Sequence, residues 1–465
     1  QYLRGASASS RNRAMSKSVV ATVGAKSEGF AVATLRWESG AFAIAQVNTW
    51  TFAGTWEATD INRVQVGNKI KDTVTGSTVI ATIITTLETA LEAVDDDDWP
   101  ELLSDESGVT ITTTATTMVF TANEPGVPFT ATFSMFDTAY GAADAQTIEG
   151  AATPTTGTAT TVNSGPNVYD TLANWDSGAL PVDADTIIFE NADESAGVLY
   201  GLDQSAIEPA AVYVMMSFEA PIGLAKTNTL GTEYPEYRSD YLTIGPVILD
   251  VGRGQGSGSG RLKFNSGTDP CAVTVHNTGS PEEANVPAFL WKGTDAGNTF
   301  TARGNASCGI AFFGGETATV ATLTLDGNAS VVCGLGVTLT TINVNGGRLE
   351  VNSNIAGTIT VRGGEVTLNG TTTVAQMTVR GGRVVVNSSG TWAGNTILAG
   401  DGVLDFSEAP VTLAITNPIE MYGPNCRIID PNKRITTLVV DLNEGADAGQ
   451  IVWGVNVRLS RGTPA

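Results

Sequence analysis

Residues 342–406 contain nearly the same sequence four times: INVNGGRLEVN (342–352), ITVRGGEVTLN (359–369), MTVRGGRVVVN (377–387) and TILAGDGVLDF (396–406). In each copy, apolar residues follow the second glycine at offsets of two and four positions. These positions are Leu349/Val351, Val366/Leu368, Val384/Val386 and Leu404/Phe406. Because apolar residues at every second position are typical of a half-buried strand, each copy predicts a strand that buries the same face.

The spacing of the copies indicates a parallel β-solenoid. Repeats of about 17 to 20 residues are too short for a helix-turn-helix unit, so each must be a strand, a corner and a strand stacked on the previous repeat. The glycines supply corner angles that a residue with a Cβ reaches only at a cost. The predicted fold class is mainly β, a parallel β-helix (solenoid) with a small N-terminal α+β domain. We expect Leu349, Val366 and Val384 to form one internal column.

Composition and charge exclude several classes of partner. The chain has 465 residues, 52 of them glycine, and a formal net charge of -23. Such a charge repels nucleic acid and anionic lipid surfaces, so we predict no nucleic-acid partner. The sequence has no apolar run of about 18 residues, which predicts that no segment spans a membrane.

Changes in pattern along the chain predict five segments. Residues 1–39 form a basic arm, and residues 40–140 a small α+β attachment domain in which alternating strands surround a helical pattern that starts at Thr78. Residues 141–165 form a Thr-rich linker. Residues 166–406 form the parallel β-helix, and the less regular residues 407–465 form either a C-terminal β cap or an oligomerisation segment.

The arm differs in charge from the rest of the chain. Residues 1–30 contain one acid, Glu28, and five basic residues, Arg4, Arg11, Arg13, Lys17 and Lys26. A basic arm on an acidic body is either a disordered tail or an anchor to another acidic protein surface.

The segment before the first predicted solenoid strand carries a recognisable motif. Asn174-Trp175, Gly178, Pro181 and Asp185 precede the strand at 186–189. This motif resembles the entry segment that opens the β-helix of many secreted bacterial and phage fibre proteins. The Trp ring would cover the open apolar end of the first repeat, while Pro and Gly fix the turn.

A wider resemblance covers most of residues 40–345. YGLDQSA (200–206), EYPEYRSDYLTIG (233–245), GRGQGSGSGRLKFN (252–265) and PAFLWKG (287–293) resemble virion and tail-associated proteins of tailed phages and prophages, including those of planctomycete-type bacteria. The resemblance implies a structural virion protein, a tail spike, tail fibre or capsid decoration located on the extracellular particle surface. It implies attachment to other virion proteins through the N-terminal region and assigns no catalytic residue. We expect a homo-oligomer, a trimer, because identical chains usually close into rings.

The residue types needed for catalysis or metal binding are scarce. The chain has four cysteines without zinc-ligand spacing, and His276 is its only histidine. We therefore predict no enzyme activity, no cofactor, no metal site and no catalytic residue. Cys308 and Cys333 are interpreted as small apolar side chains inside the repeats, although a disulfide between neighbouring repeats stays possible on the sequence alone.

Four aromatic residues are candidates for contact with host surface polysaccharide. Tyr234, Tyr237 and Tyr241, joined by Trp291, could stack on sugar rings, but packing of loops against the solenoid explains them equally well. Two other functions stay open: a β-helical polysaccharide depolymerase, and a secreted bacterial surface adhesin. The depolymerase would need two facing carboxylates. The adhesin would need a signal peptide, whose apolar region is missing from the first residues.

Overall fold

The computed structural model describes a mainly β chain with one α-helix among its described residues. The described part is residues 33–461 without 55, 57, 67–68, 93–108, 137–160, 191–195, 226–239, 371–373, 393, 412, 433, 436–437 and 453–456. The predicted arm is outside this part up to residue 32, and so is most of the predicted linker.

The first strand, β1 (Thr34–Arg36), is followed by elements that form two small antiparallel sheets and a helix. In chain order these elements are β2 (Val47–Thr51), β3 (Ile61–Val66), β4 (Lys69–Val74), α1 (Ile80–Glu92), β5 (Val109–Thr113), β6 (Thr117–Ala122) and β7 (Ala131–Phe136). One sheet has the order β2-β6-β5 and the other β4-β3-β7. The apolar face of α1 is buried in a core shared with Trp50 and Phe120, which is the packing that its helical spacing predicts.

The later strands are short and numerous, and a 3₁₀ turn at Leu172–Asn174 precedes them. The first group is β8 (Thr186–Phe189), β9 (Ala211–Met215), β10 (Leu242–Thr243), β11 (Ile248–Arg253), β12 (Leu262–Asn265), β13 (Ala272–Val275), β14 (Phe289–Lys292), β15 (Thr299–Ala302), β16 (Ser307–Ile310), β17 (Ala318–Leu325), β18 (Ser330–Cys333), β19 (Val337–Val344) and β20 (Arg348–Val351). The second group is β21 (Ile355–Val361), β22 (Glu365–Leu368), β23 (Gln376–Val379), β24 (Arg383–Val386), β25 (Thr391–Trp392), β26 (Asn395–Ala399), β27 (Val403–Asp405), β28 (Ala414–Ile415), β29 (Ile419–Tyr422), β30 (Arg427–Ile429), β31 (Leu438–Asn443), β32 (Ile451–Val452) and β33 (Val457–Arg461).

Together with β1, these strands build two long parallel sheets, except for β25 and β28, which pair with each other. The fourteen-stranded sheet has the order β1-β8-β9-β11-β13-β15-β17-β19-β21-β23-β26-β29-β31-β33, and the eleven-stranded sheet the order β10-β12-β14-β16-β18-β20-β22-β24-β27-β30-β32. From β9 to β24 the chain visits the two sheets alternately. Both sheets contribute apolar side chains to one continuous core.

The quoted repeats are in register, as predicted. Leu349 of β20 pairs with Val366 of β22, which pairs with Val384 of β24. All three side chains are fully buried. A second buried column runs through Val351, Leu368 and Val386. The period-two pattern of the sequence thus corresponds to one buried face, repeated from strand to strand.

The glycine corners stack directly on one another. Gly347, Gly364 and Gly382 have φ values of +75°, +77° and +73°, in the left-handed region that side chains with a Cβ disfavour. A Cβ on Gly364 would lie 2.3 Å from the carbonyl oxygen of Gly347. The corner therefore needs glycine both for its backbone angle and for its close approach to the preceding repeat.

The entry motif closes the first end of the fourteen-stranded sheet. Trp175 is buried edge-to-face against Trp37, with ring centroids 5.2 Å apart, and its ring also contacts Tyr169 and Phe189. The Trp side chain therefore covers the apolar end, as the motif predicted.

Polar side chains of the same motif fix the incoming chain. The Nδ2 of the buried Asn174 donates to the carbonyls of Gly165 and Val168, and its Oδ1 accepts from the backbone of Ala41. Asp185 accepts hydrogen bonds from the backbone of Ala33 and Val182. These contacts satisfy backbone groups that a buried turn would otherwise leave unpaired.

The long sheet extends beyond the predicted solenoid at both ends. Residues 34–36, in the predicted arm, pair in parallel with β8. Past residue 406, β29, β31 and β33 continue the fourteen-stranded sheet, and β30 and β32 continue the other.

A pair of substitutions tests which face is buried. Val384→Asn places an amide in the core and should lower the free energy of unfolding by about 3 kcal/mol. Val385→Asn, on the opposite face of the same strand, should change it by less than about 1 kcal/mol. Urea unfolding followed by circular dichroism measures both. Equal losses would contradict the assigned register.

A second pair separates backbone strain from the contact between repeats. Gly364→Ala adds both the strain of a positive φ and a clash with the neighbouring repeat. Gly423 also has a positive φ, +87°, but no atom lies within 4 Å of an added Cβ. Gly423→Ala should therefore cost only the strain of about 1 kcal/mol. Gly364→Ala should cost clearly more, as measured by thermal unfolding. An equal loss would show that the corners do not stack in contact.

Candidate functional site

The two predicted sugar-contact residues that the structure describes, Tyr241 and Trp291, do not have exposed rings. Tyr234 and Tyr237 lie outside the described residues. Trp291 is fully buried in the core, with its ring centroid 5.8 Å from that of Phe300, and Tyr241 is 1% exposed. The prediction for Tyr241 and Trp291 is therefore corrected: buried rings offer no face for a sugar to stack on.

Tyr241 instead lies in a cluster of charged side chains, here called the Tyr241 cluster (Asp240, Tyr241, Lys263, Lys292 and Glu316). The Nζ of Lys292 is 4.0 Å from the Tyr241 ring centroid, and that of Lys263 is 5.7 Å from it. The phenol donates to a carboxylate oxygen of Glu316, 3.3 Å away. Burial, followed by the negative charges of Glu316 and Asp240, raises the pKa of Tyr241, which therefore stays protonated.

Strand register brings the cluster together. Lys263 pairs with Leu290, and Lys292 pairs with Asn265, two positions after Lys263. Both lysines therefore lie on one face of the eleven-stranded sheet, and Phe264 and Trp291 lie on the other face. Tyr241 immediately precedes β10, whose Leu242 pairs with Phe264. Glu316 comes from the connection after β16 and forms an ion pair with Lys292 at 3.1 Å.

Lys263 is the most unusual member of the cluster. Its side chain is fully buried, and its nearest carboxylate oxygen, in Asp240, is 3.6 Å from Nζ. Burial lowers the pKa of Lys263, and the charge of Arg261 acts in the same direction, while Asp240 and Glu283 oppose the shift. A buried amine with a lowered pKa is available as a nucleophile or base.

Sequence reasoning did not find this cluster. Its residues are spread over 240–316, and the sequence of β12 alternates between apolar and polar residues, so that Lys263 occupies a position that the pattern predicts to be exposed, whereas the structure buries it. The strand itself carried no signal for the site, because a lysine at an alternating polar position is normally exposed.

A ladder of opposite charges follows the outer face of the quoted repeats. Arg348, Glu365 and Arg383 occupy matching positions in β20, β22 and β24, with Glu365 3.9 and 4.0 Å from its two neighbours. Arg383 also pairs with the buried carboxylate of Asp405. Exposed pairs of this kind contribute little individually, so the buried Asp405 end has the largest effect on stability.

An asparagine ladder follows the same strands. Asn369 Nδ2 donates to Asn352 Oδ1 at 2.8 Å, and Asn387 Nδ2 donates to Asn369 Oδ1 at 3.0 Å. These are the final residues of the first three quoted copies. Side-chain amides stacked in this way link each repeat to the next outside the backbone ladder.

The cysteines and the histidine have structural surroundings. Cys308 and Cys333 are buried free thiols, which agrees with their interpretation as small apolar residues. Burial raises the pKa of Cys333 to about 12, so the thiol is unreactive at neutral pH. His276 is half-buried, with Nε2 3.4 Å from Asp250, a carboxylate that Arg253 already binds with two hydrogen bonds.

Within the described part of the chain, no three His, Cys, Asp or Glu residues are grouped as metal ligands. No described helix is long and apolar enough to cross a membrane. No family model, no curated protein and no solved structure matches the chain. The candidate site therefore rests on its own geometry.

The charge ladder predicts a pH dependence. Burial alone would raise the pKa of Asp405, but hydrogen bonds from Ser407 and Arg383 hold it below the usual 3.8. The resulting stabilisation is present above pH 3.8 and disappears as the pH falls through the lower pKa of the folded protein. Asp405→Asn should therefore cost about 2 kcal/mol at pH 7, with a difference from the wild type that shrinks in acid.

The control for this measurement is Asp401→Asn, four positions earlier at an exposed site. Its cost at pH 7 should stay below about 0.5 kcal/mol. Thermal unfolding between pH 3 and pH 7 provides the comparison. If the effect of Asp405→Asn did not depend on pH, the assigned role of its charge would be wrong.

Proposed function

We propose that the two long sheets are faces of one parallel β-helix and that this rod is a structural protein of a phage-like particle. The alternation of the chain between the sheets supports the first step, as does their shared core. A separate short sheet supports it further, since β25 pairs in parallel with β28 outside the two long sheets.

The observation that carries the functional proposal is the unbroken parallel stacking of fourteen strands in one sheet. At a spacing of about 4.8 Å, these strands give a shaft about 60 Å long. Each repeat contacts mainly its neighbours, so the length is set by the number of repeats. A rigid spacer of this kind suits a tail spike, tail fibre or capsid decoration that holds a surface away from a particle.

The charge distribution supports different roles for the N-terminal arm and the body of the protein. The chain carries a net charge of -23, while residues 1–30 contain five basic residues and one acid. Such an arm is attracted to an acidic partner, whereas the acidic body is repelled. We assign the arm to attachment on another virion protein and the body to a homotrimer. The protein is placed on the particle surface, and catalysis is not part of its role.

The test uses particles produced by the host cells that encode the chain. Antibodies against the purified protein should label the particles at one structural position, and the protein should sediment with them. A chain that lacks residues 1–30 should keep its oligomeric state in solution and fail to enter particles. Sedimentation of the intact protein apart from the particles would contradict the proposal.

A second assay addresses the depolymerase alternative. Host capsule or cell-wall polysaccharide, incubated with the purified protein, should yield no new reducing or unsaturated ends. Release of oligosaccharides would replace the structural proposal with an enzymatic one.

A further inference from the structure

We propose that Lys263 and Asp240 form an intramolecular amide bond between Nζ and Cγ. The two groups already lie side by side, with Nζ 3.6 Å from Oδ2. The Lys263 side chain is fully buried, and its Nζ has no hydrogen-bond partner among the described residues. An ammonium group held in this way is costly, and conversion of the pair to an amide removes both charges.

The surroundings of Lys263 exclude water and hold its stem in place. The backbone of Gly223 packs so closely that a Cβ there would lie 2.8 Å from Lys263 Cβ. The rings of Phe313 and Tyr241 lie 5.3 and 5.7 Å from Nζ. Burial of Nζ favours the neutral amine, in accord with the lowered pKa of Lys263.

The reaction begins with transfer of a proton from the ammonium to the carboxylate, which converts the ion pair into a neutral amine and a carboxylic acid. The amine lone pair then attacks Cγ of Asp240. The new C–N bond forms, one C–O bond breaks, and the oxygen leaves as water with the acid proton and one amine proton. No oxidant or other reactant is needed, and the half-exposed Asp240 side chain gives the water a route to solvent.

The neighbouring pair provides an internal comparison. Lys292 Nζ donates to Glu316 at 3.1 Å, is 24% exposed, and lies over the Tyr241 ring. Its ammonium group has a carboxylate hydrogen-bond partner and lies over an aromatic ring, so we expect no amide bond there. Of the two pairs, only that of Lys263 contains a fully buried amine without a hydrogen-bond partner.

The bond would lock the start of the eleven-stranded sheet. Asp240 lies two residues before β10, and Lys263 lies in β12, its neighbour in the sheet. An amide between them would join two adjacent repeats covalently. This inference does not depend on the proposed function.

Peptide mapping of the full-length folded protein tests the bond. Trypsin should release a cross-linked species that joins residues 239–253 to residues 262–292, with cleavage blocked at Lys263. Its mass should be lower than the sum of the two peptides by one water molecule. Tandem mass spectrometry should place the link on Asp240 and Lys263.

Variants assign the participants. Lys263→Arg and Asp240→Ala should abolish the cross-linked species, and Lys292→Arg should leave it unchanged. Recovery of residues 239–253 and 262–263 as separate peptides from the wild type, after prolonged incubation of the folded protein, would overturn the proposal. A link at Lys292 and Glu316 would overturn the assignment as well.

Discussion

The structure depends on the parallel, in-register pairing of successive repeats. The backbone N–H and C=O groups of each strand must align with those of the next strand for the hydrogen bonds between them to form. The corner of every repeat must therefore have the same backbone geometry. In the quoted repeats this requirement falls on Gly347, Gly364 and Gly382, whose positive φ values differ by only a few degrees. A fourth copy changes the corner: the positive φ moves to Gly400, and the sequence becomes Gly400-Asp401-Gly402.

Side chains reinforce this pairing on both faces. Inside, Leu349, Val366 and Val384 stack as identical positions, so that the core grows by one layer with each repeat. Outside, the asparagine ladder connects neighbouring repeats. At the first end the buried Trp175 covers the apolar layer that the stack would otherwise expose. These features together explain a long sheet with a protected end.

The regular part of the fold could be predicted from the sequence because its signals are local. The offsets from each glycine pair determine which face Val366 and Val384 bury, and the entry motif identifies Trp175 as a cover. The surroundings of Lys263 could not be predicted in this way. The residues around Lys263 come from positions 240 to 316, where the repeats vary in length. In addition, β12 is buried on both faces, so its polar face is not exposed as the sequence pattern predicts. For the same reason Tyr241 and Trp291 looked like surface aromatics, although both are enclosed.

Distances between spin labels along one outward-facing column test the central claim most directly. Ala272, Thr299, Thr322, Thr341, Thr358, Gln376 and Asn395 occupy successive paired positions in the fourteen-stranded sheet. Labels at Ala272 and, in turn, at Thr358, Gln376 and Asn395 should give distances of about 19, 24 and 29 Å, an increase of one strand spacing per step. Distances that do not increase in this order would contradict the parallel, in-register stack.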